Sequence, residues 1–188
     1  MRPAVFLDRD GTIIEEVGYL DRVDRVAVYP WTGDALRLLD RAGFSLVVVT
    51  NQSGVARGFF PEARVLEVHA HLDRLLARGS ARLDAYYYCP HHVDAADPAY
   101  RLDCDCRKPR PGLITRAARD LDLDISRSFV VGDKWSDVAL ARAVGARGLL
   151  VRTGSGADEA DLPPPPGVEA DAIVAHLAEA ASWILLHR

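Results

Sequence analysis

Two carboxylates near the start of the chain, Asp8 and Asp10, directly follow a short apolar run. Residues two apart in an extended chain point to the same side, so both carboxylates would share one site and repel each other. A divalent cation removes this repulsion, and Mg²⁺ favours a few carboxylate oxygens together with phosphate and water. Asp133 follows another apolar run and could supply a third oxygen. By itself, an Asp-x-Asp pair more often caps a helix. The magnesium prediction therefore depends on the other polar residues that follow the predicted strands.

Further polar groups suggest phosphate binding. Thr50 and Asn51 follow the apolar run 46–49 and precede Gly54; such a loop can hold phosphate oxygens, although a turn with a cap is the commoner role. Of the 23 basic residues, two are lysine, Lys108 and Lys134, which leaves 21 arginines. Lysine at these two positions indicates a need for a compact ammonium charge, with an ordinary surface cation as the alternative.

Apolar runs of strand length alternate with helical patterns along the chain. The predicted strands are residues 4–7, 45–49, 85–88, 129–131, 149–151 and 172–174, and the predicted helices are 33–42, 61–78, 112–121, 136–144 and 176–186. The first five strands have the apolar character of strands buried on both faces. The alternation predicts an α/β fold of three layers, a Rossmann-like parallel sheet with helices on both faces. Ligands of such sheets bind beyond the carboxyl ends of the strands, where the polar groups lie.

The composition limits the classes of function. The chain has 188 residues, of which 49% are hydrophobic and 27% charged, and we expect a single domain over residues 1–188. A net charge of −4 disfavours a nonspecific nucleic-acid binder. The N-terminus does not read as a signal peptide, and no apolar run reaches membrane-spanning length. We therefore expect a cytoplasmic monomer without nucleic-acid or membrane partners.

The three cysteines fall in one short window, as Cys89, Cys104 and Cys106. With His91 they form Cys-x-His and Cys-x-Cys pairs separated by twelve residues, which offer three thiolates and one imidazole to a tetrahedral Zn²⁺. Unrelated free thiols are the alternative, and on spacing alone His92 could replace His91. The ion would be structural, holding the polar zinc loop (residues 89–106) beside the active site.

Together these residues resemble the haloacid dehalogenase-like (HAD-like) phosphatases. The four motifs of that family match in order, as Asp8-x-Asp10-Gly11-Thr12, Thr50, Lys108, and Gly132-Asp133 with Asp137. The resemblance implies that Asp8 is the nucleophile and that Asp10 is the general acid and base. Mg²⁺ would bind Asp8, Asp133 and the backbone carbonyl of Asp10, while Asp137 would orient Lys108 or a water on the metal. The implied ligands of the transferred phosphoryl group are Thr50, Asn51 and Lys108.

A narrower resemblance is to the branch that acts on heptose 1,7-bisphosphate and histidinol phosphate. It is carried by residues 6–13, 18–19, 49–58, 87–92, 104–109, 111–112 and 131–134. The further substrate contacts that it implies are Glu16, Val17, Gly18, Tyr19, Gln52, Ser53 and Arg107. Two phosphates require two cationic groups, and Lys134 is the predicted cation opposite Arg107 and Lys108. Glu16-Val17 departs from the branch, in which a polar residue and a histidine precede Gly-Tyr. About forty residues separate Asp10 from Thr50, so we expect no large cap domain, only partial cover by loop 15–24 and the zinc loop.

The sequence thus predicts a Mg²⁺-dependent phosphatase that removes the 7-phosphate of D-glycero-D-manno-heptose 1,7-bisphosphate through an aspartyl-phosphate. That activity would belong to heptose biosynthesis for lipopolysaccharide. Histidinol phosphate or another small sugar phosphate is the alternative substrate. A phospho-aspartate signalling receiver shares the sheet and the strand-end groups, but Asp10 would hydrolyse its acyl phosphate. A zinc-held interaction module with an inactive site is disfavoured because every catalytic position is filled.

Other residues are predicted to lack a chemical role. His69 and His71 lie on the helix 61–78 and should face solvent or a neighbouring side chain. Trp31, Trp135 and Trp183 should pack in the domain, and Trp135 follows Lys134 closely enough to reach the rim of the site.

Overall fold

Six parallel strands form the centre of the computed structural model, which describes residues 1–188. The strands are Ala4–Leu7 (β1), Ser45–Asn51 (β2), Ala85–Cys89 (β3), Phe129–Gly132 (β4), Arg147–Val151 (β5) and Ala172–Val174 (β6). Their order across the sheet is β3-β2-β1-β4-β5-β6, and each neighbouring pair is parallel. The predicted parallel sheet is confirmed.

Seven helices connect and cover the strands. They are Thr32–Arg41 (α1), Ser53–Ala56 (α2), Glu62–Arg78 (α3), Gly112–Leu121 (α4), Trp135–Val144 (α5), Gly156–Asp161 (α6) and Leu177–Leu186 (α7), with short 3₁₀ turns at Val23–Arg25 and Ile125–Arg127. The five predicted helices are confirmed to within one residue at each end. The helices α2 and α6 were not predicted, because four and six residues are too few to show a helical period.

Alternate residues of the central strands pack against different helical layers. Val5 and Leu7 of β1 belong to a core of 23 buried residues that also contains side chains of α1, α3 and α7. Ala4 and Phe6 point to the other face, into a core of 14 residues shared with α4 and α5. This division follows from the period of two in a strand. It produces the three layers and leaves the strand ends free for polar residues.

The expectation that the first five strands are buried on both faces is wrong for β3. Tyr86, Tyr87 and Tyr88 are only partly buried, because β3 is an edge strand with β2 as its single neighbour. Their hydroxyl groups reach the surface, where they donate hydrogen bonds to Asp73, Asp120 and Glu62 respectively. An aromatic ring with a polar tip suits such a position, since the ring packs and the hydroxyl finds a partner.

The parallel sheet gathers five loops at one edge. Leu7 is aligned with Val48 of β2 and with Val131 of β4, so the residues that follow these strands emerge side by side. The segment between β1 and α1 holds only a 3₁₀ turn, which agrees with the expected lack of a large cap. No helix combines the length and apolar character that crossing a membrane requires.

Candidate active site

Three carboxylates meet at the carboxyl edge of the sheet. Side-chain oxygens of Asp8, Asp133 and Asp137 lie within 4.8 Å of one another, and all three residues are buried. Asp8 follows β1 and Asp133 follows β4, so pairing of those strands brings the two together. Asp137 lies in the first turn of α5, where its Oδ2 accepts a hydrogen bond from the Lys134 backbone N–H (3.3 Å). Gly132 makes room, because a Cβ there would lie 2.2 Å from Asp137 Cγ.

Lys108 supplies the positive charge of this cluster. Its Nζ donates to Asp137 Oδ1 at 2.6 Å and to the Val49 carbonyl at 3.0 Å, and it forms an ion pair with Asp8 Oδ1 at 3.0 Å. Burial by itself lowers the pKa of Lys108, but the carboxylates of Asp137 and Asp8 outweigh burial and raise it. The ammonium group therefore stays charged although its side chain is only 2% exposed.

Asn51 fixes the segment that carries Lys108. The Lys108 backbone N–H donates to Asn51 Oδ1 (3.0 Å), and Asn51 Nδ2 donates to the Lys108 carbonyl (3.3 Å). Both ends of the amide are thus engaged by protein backbone, while Asn51 still borders the pocket. The structure assigns this side chain a positioning contact that the sequence did not reveal.

The acidic cluster fits a divalent cation. Asp133 Oδ1 is buried without a hydrogen bond, whereas Oδ2 accepts from the Ser155 N–H (2.8 Å). Burial, followed by the charge of Asp8, raises the pKa of Asp133 to about 7. A buried acceptor without a donor is costly, and a hard cation coordinated by carboxylate oxygens removes that cost. The residues present therefore suit Mg²⁺, with Asp8 and Asp133 as side-chain ligands.

The carboxylate of Asp10 lies outside the acidic cluster. Both of its oxygens accept from Nε and Nη2 of Arg9, at 2.9 to 3.3 Å. Gln52 Nε2 donates to Asp10 Oδ2 (2.9 Å) and to Thr50 Oγ1 (3.0 Å). Sequence reasoning did not single out Arg9, because one arginine among 21 carries no distinguishing signal.

A cavity of about 630 Å³ opens above these groups. The predicted residues that line it are Asp8, Asp10, Glu16, Gly18, Tyr19, Thr50, Asn51, Gln52, Ser53, Arg107, Lys108 and Lys134. The other lining residues are Leu20, Gly54, Phe60, Ser136 and Ser155. Gly54 and Ser136 belong to the segments singled out after β2 and β4, and Leu20 belongs to the expected covering loop 15–24. Phe60 and Ser155 were missed, because nothing in their type or spacing indicates a binding role.

Two expectations about the rim differ from the structure. Val17 does not line the cavity; it packs against the larger core, and its carbonyl accepts from Arg25 Nη2 (3.2 Å). Trp135 also lies away from the cavity, because it packs with Val138 and Leu150 and its indole N–H donates to the Glu159 carbonyl.

Two further cations face the cavity besides Lys108. Arg107 donates from Nη1 to the His91 carbonyl (3.2 Å), so its direction depends on the zinc loop. Lys134 Nζ lies 3.5 Å from Glu16 Oε2, while Glu16 Oε1 accepts from the Gly18 N–H (2.7 Å). Burial lowers the pKa of Lys134, but Asp133 and neighbouring carboxylates raise it overall. The cavity therefore presents positive charge at several points.

The predicted zinc ligands form a second cluster. Sγ of Cys104 lies 3.5 Å from Sγ of Cys89 and 3.1 Å from Sγ of Cys106, and His91 Nδ1 lies 3.3 Å from Sγ of Cys106. Tetrahedral Zn²⁺ with bonds of about 2.0 to 2.3 Å spaces its ligand atoms at roughly 3.5 to 3.8 Å. Burial raises the pKa of the Cys89 thiol to about 11, so a cation is needed to hold these groups as thiolates. The donor set fits zinc.

His92 lies outside the zinc cluster. Its Nδ1 accepts from the Asp94 N–H (3.1 Å) and its Nε2 lies 3.3 Å from Arg57 Nη2. The zinc loop is also attached elsewhere, because Tyr100 donates its hydroxyl to Glu62 Oε2 (2.9 Å) at the start of α3. Sequence reasoning missed this second attachment.

The parallel sheet with helices on both faces, and the lysine-paired carboxylates at its carboxyl edge, are the features of a hydrolase that acts on phosphate esters. A family model described as HAD-hydrolase-like matches residues 105–180. D-glycero-beta-D-manno-heptose-1,7-bisphosphate 7-phosphatase of Escherichia coli K12 is 47% identical over 154 residues, which are 81% of this chain and 80% of the relative. The enzyme of the same name from Salmonella typhi is 41% identical over 185 residues, 97% of this chain and 89% of the relative.

Solved structures agree with these relatives. D,D-heptose 1,7-bisphosphate phosphatase from B. bronchiseptica, complexed with magnesium and phosphate, has a TM-score of 0.85 and 32% identity and covers 99% of each chain. The enzyme from Burkholderia thailandensis has a TM-score of 0.71 and 27% identity and covers 98% of this chain and 99% of the other. The chain belongs to the HAD-like hydrolase family and, within it, to the group of the heptose-1,7-bisphosphate 7-phosphatases.

Proposed function

We propose that this protein is a Mg²⁺-dependent phosphatase that hydrolyses the 7-phosphate of D-glycero-D-manno-heptose 1,7-bisphosphate and leaves heptose 1-phosphate. The observation that carries the proposal is the position of Asp8, paired with Lys108 on the floor of a cavity with two more cations. Relatives of that name align over most of the chain. One domain spanning residues 1–188 would suffice for the reaction.

Asp8 is oriented for nucleophilic attack. Its Oδ1 accepts from the Arg9 N–H (2.7 Å) and is ion-paired with Lys108 Nζ (3.0 Å), while no donor binds Oδ2. Oδ2 attacks phosphorus to form an aspartyl-phosphate, which divides one difficult displacement into two easier ones. Lys108 and the Thr50 hydroxyl stabilise the charge on the phosphoryl oxygens. Mg²⁺, when bound, neutralises further charge on that group.

Asp10 moves the protons. In the first step Asp10, in its protonated form, donates a proton to the departing sugar oxygen and becomes the carboxylate that Arg9 and Gln52 hold. In the second step the resulting carboxylate takes a proton from the water that attacks the aspartyl-phosphate, which restores both aspartates. This second function distinguishes a hydrolase from a receiver that stores its acyl phosphate.

The remaining cations suit a second phosphate. Arg107 offers a planar fork for the distal phosphate, and Lys134 offers an ammonium group on the same cavity. Glu16 is the observation that favours a second candidate, histidinol phosphate, because a carboxylate could bind its amine. Glu16 already faces Lys134 at 3.5 Å, and this pairing favours the bisphosphate.

Zn²⁺ would have a structural role. The zinc loop holds Arg107 through the His91 carbonyl, and Arg107 and Lys108 are the two residues that follow it in sequence, so fixing the loop fixes two substrate contacts. Three cysteines kept as metal ligands suit a reducing cytoplasm, where we place the protein as a monomer.

Phosphate release from heptose 1,7-bisphosphate and from histidinol phosphate tests the proposal. We expect the larger kcat/KM with the bisphosphate and loss of the 7-phosphate rather than the 1-phosphate. A larger kcat/KM with histidinol phosphate would refute the substrate. Asp8→Asn keeps the size of the side chain and should abolish turnover with an unchanged circular dichroism spectrum; activity in this variant would refute Asp8 as the nucleophile.

A further inference from the structure

Arg9 is an unusual residue for its surroundings. It is 1% exposed and is among the largest fully buried side chains of the protein, whereas arginine is rarely buried completely unless it is paired. Asp10 is its single ion-pair partner, and Nη1 is buried without a hydrogen bond. An imperfectly satisfied buried ion pair is weak as a source of stability. Its position between the two catalytic aspartates indicates another purpose.

The contacts of Arg9 restrict one carboxylate. Its planar fork engages both oxygens of Asp10, and Nη2 also donates to Gln52 Oε1 at 2.9 Å. Gln52 returns a hydrogen bond to Asp10 Oδ2 from the other end of its amide. Asp10 is thus held from two directions, by a residue of its own loop and by one that follows β2. Neither rotation of the carboxylate nor movement of the loop is possible without breaking several hydrogen bonds.

The charge of Arg9 also reaches two uncharged side chains, His69 and Tyr86. His69 is buried on α3 and stacks on Tyr86 with ring centroids 4.3 Å apart, and its Nε2 has no hydrogen-bond partner. Burial, followed by the charge of Arg9, lowers the pKa of His69 to about 3. No carboxylate other than that of Asp10 forms an ion pair with the guanidinium group of Arg9.

We propose that Arg9 is a positioning residue that sets the orientation of Asp10 for proton transfer to the leaving oxygen. The inference rests on the proposed role of Asp10 as general acid. Lysine cannot replace Arg9 fully, because an ammonium group is a point charge and lacks the two-pronged fork. A misplacement of about 1 Å at a reacting group can cost roughly 100-fold in rate, so orientation by Arg9 should be visible in kinetics.

Leaving-group dependence separates positioning from a purely structural role. A sugar alkoxide needs a proton to depart, whereas 4-nitrophenolate departs without one, so only the sugar ester depends on the general acid. The value of kcat/KM reports phosphoryl transfer to Asp8 and is not affected by the later hydrolysis step. We would measure kcat/KM for heptose 1,7-bisphosphate and 4-nitrophenyl phosphate with the Mg²⁺-loaded, zinc-loaded protein.

Arg9→Met should lower kcat/KM for the bisphosphate by about 100-fold, and it should lower kcat/KM for 4-nitrophenyl phosphate far less. For the bisphosphate, kcat/KM of Arg9→Lys should lie between the values of wild type and Arg9→Met. In the Arg9→Met/Asp10→Asn double variant, the decrease in kcat/KM for the bisphosphate should not exceed the decrease caused by Asp10→Asn alone. His69→Phe is the matched control, because it changes a buried side chain that is influenced by the charge of Arg9 but forms no hydrogen bond with Asp10. It should leave the ratio of the kcat/KM values for the two substrates unchanged.

Equal losses for both substrates in the Arg9 variants, or additive losses in the double variant, would overturn the proposal. If Arg9→Met does not fold, Arg9→Lys carries the same test with the same outcomes. Failure of the wild-type protein to hydrolyse the bisphosphate would instead refute the proposed function, and the comparison would then use histidinol phosphate as the alkyl ester.

Discussion

Buried His69 should make the stability of this protein sensitive to acid. Its pKa is about 3 in the folded state, lowered from 6.5 by burial and by the charge of Arg9. Between pH 6.5 and pH 3 the unfolded chain therefore binds more protons at this residue, and stability falls as the pH falls. From pH 7 to pH 5 the loss is about 2 kcal/mol, which corresponds to a decrease in Tm of roughly 4 to 8 °C for a chain of this size.

His69→Phe removes the titrating group and keeps a ring that can stack on Tyr86. Urea unfolding at pH 7 and pH 5 should show that wild type loses about 2 kcal/mol more than the variant. Tyr86→Phe is the control: it removes the hydroxyl that donates to Asp73 but leaves His69 covered, so it should keep the wild-type pH dependence. An identical pH dependence in wild type and His69→Phe would refute the reasoning, since His69 would then titrate alike in both states.

Three other changes test the site. Gly11 has a φ of +77°, and Gly11→Ala places a Cβ 2.2 Å from Asp133 Oδ2. The rate of phosphate release should fall about 100-fold, and the variant should require a higher Mg²⁺ concentration. An unchanged Mg²⁺ titration would contradict the close packing of Gly11 against Asp133. Cys106→Ser removes one predicted zinc ligand, so metal analysis should show less zinc and thermal unfolding a lower Tm; full zinc content would exclude Cys106 as a ligand. Lys134→Gln removes a cation from the cavity. KM for the bisphosphate should rise about tenfold, the equivalent of about 1.4 kcal/mol, whereas KM for a monophosphate should change little. Equal changes in KM for the two substrates would show that Lys134 does not bind the distal phosphate.

Much of the fold and of the site could be predicted from the sequence. The strand and helix periods were long enough to identify six strands and five helices, and parallel strands necessarily bring the residues that follow them to one edge. Asp8 and Asp133 could therefore be placed together without coordinates, although 124 residues lie between them. Residue type also predicted the chemistry, because carboxylates, thiolates and lysine each bind a narrow range of partners.

Only the tertiary structure decided where individual side chains point. Val17 packs against the core, whereas its neighbour Glu16 faces the cavity. His91 rather than His92 lies beside the thiols. In both cases the direction of a loop side chain depends on contacts with residues that are distant in sequence. The edge position of β3 came from strand order, which apolar composition does not encode. Arg9 shows the difference most clearly. Its sequence position is next to both aspartates, but its hydrogen bond with Gln52 requires the loop after β2 to lie beside the loop after β1. Local patterns determine elements and chemistry, whereas long-range packing determines orientation.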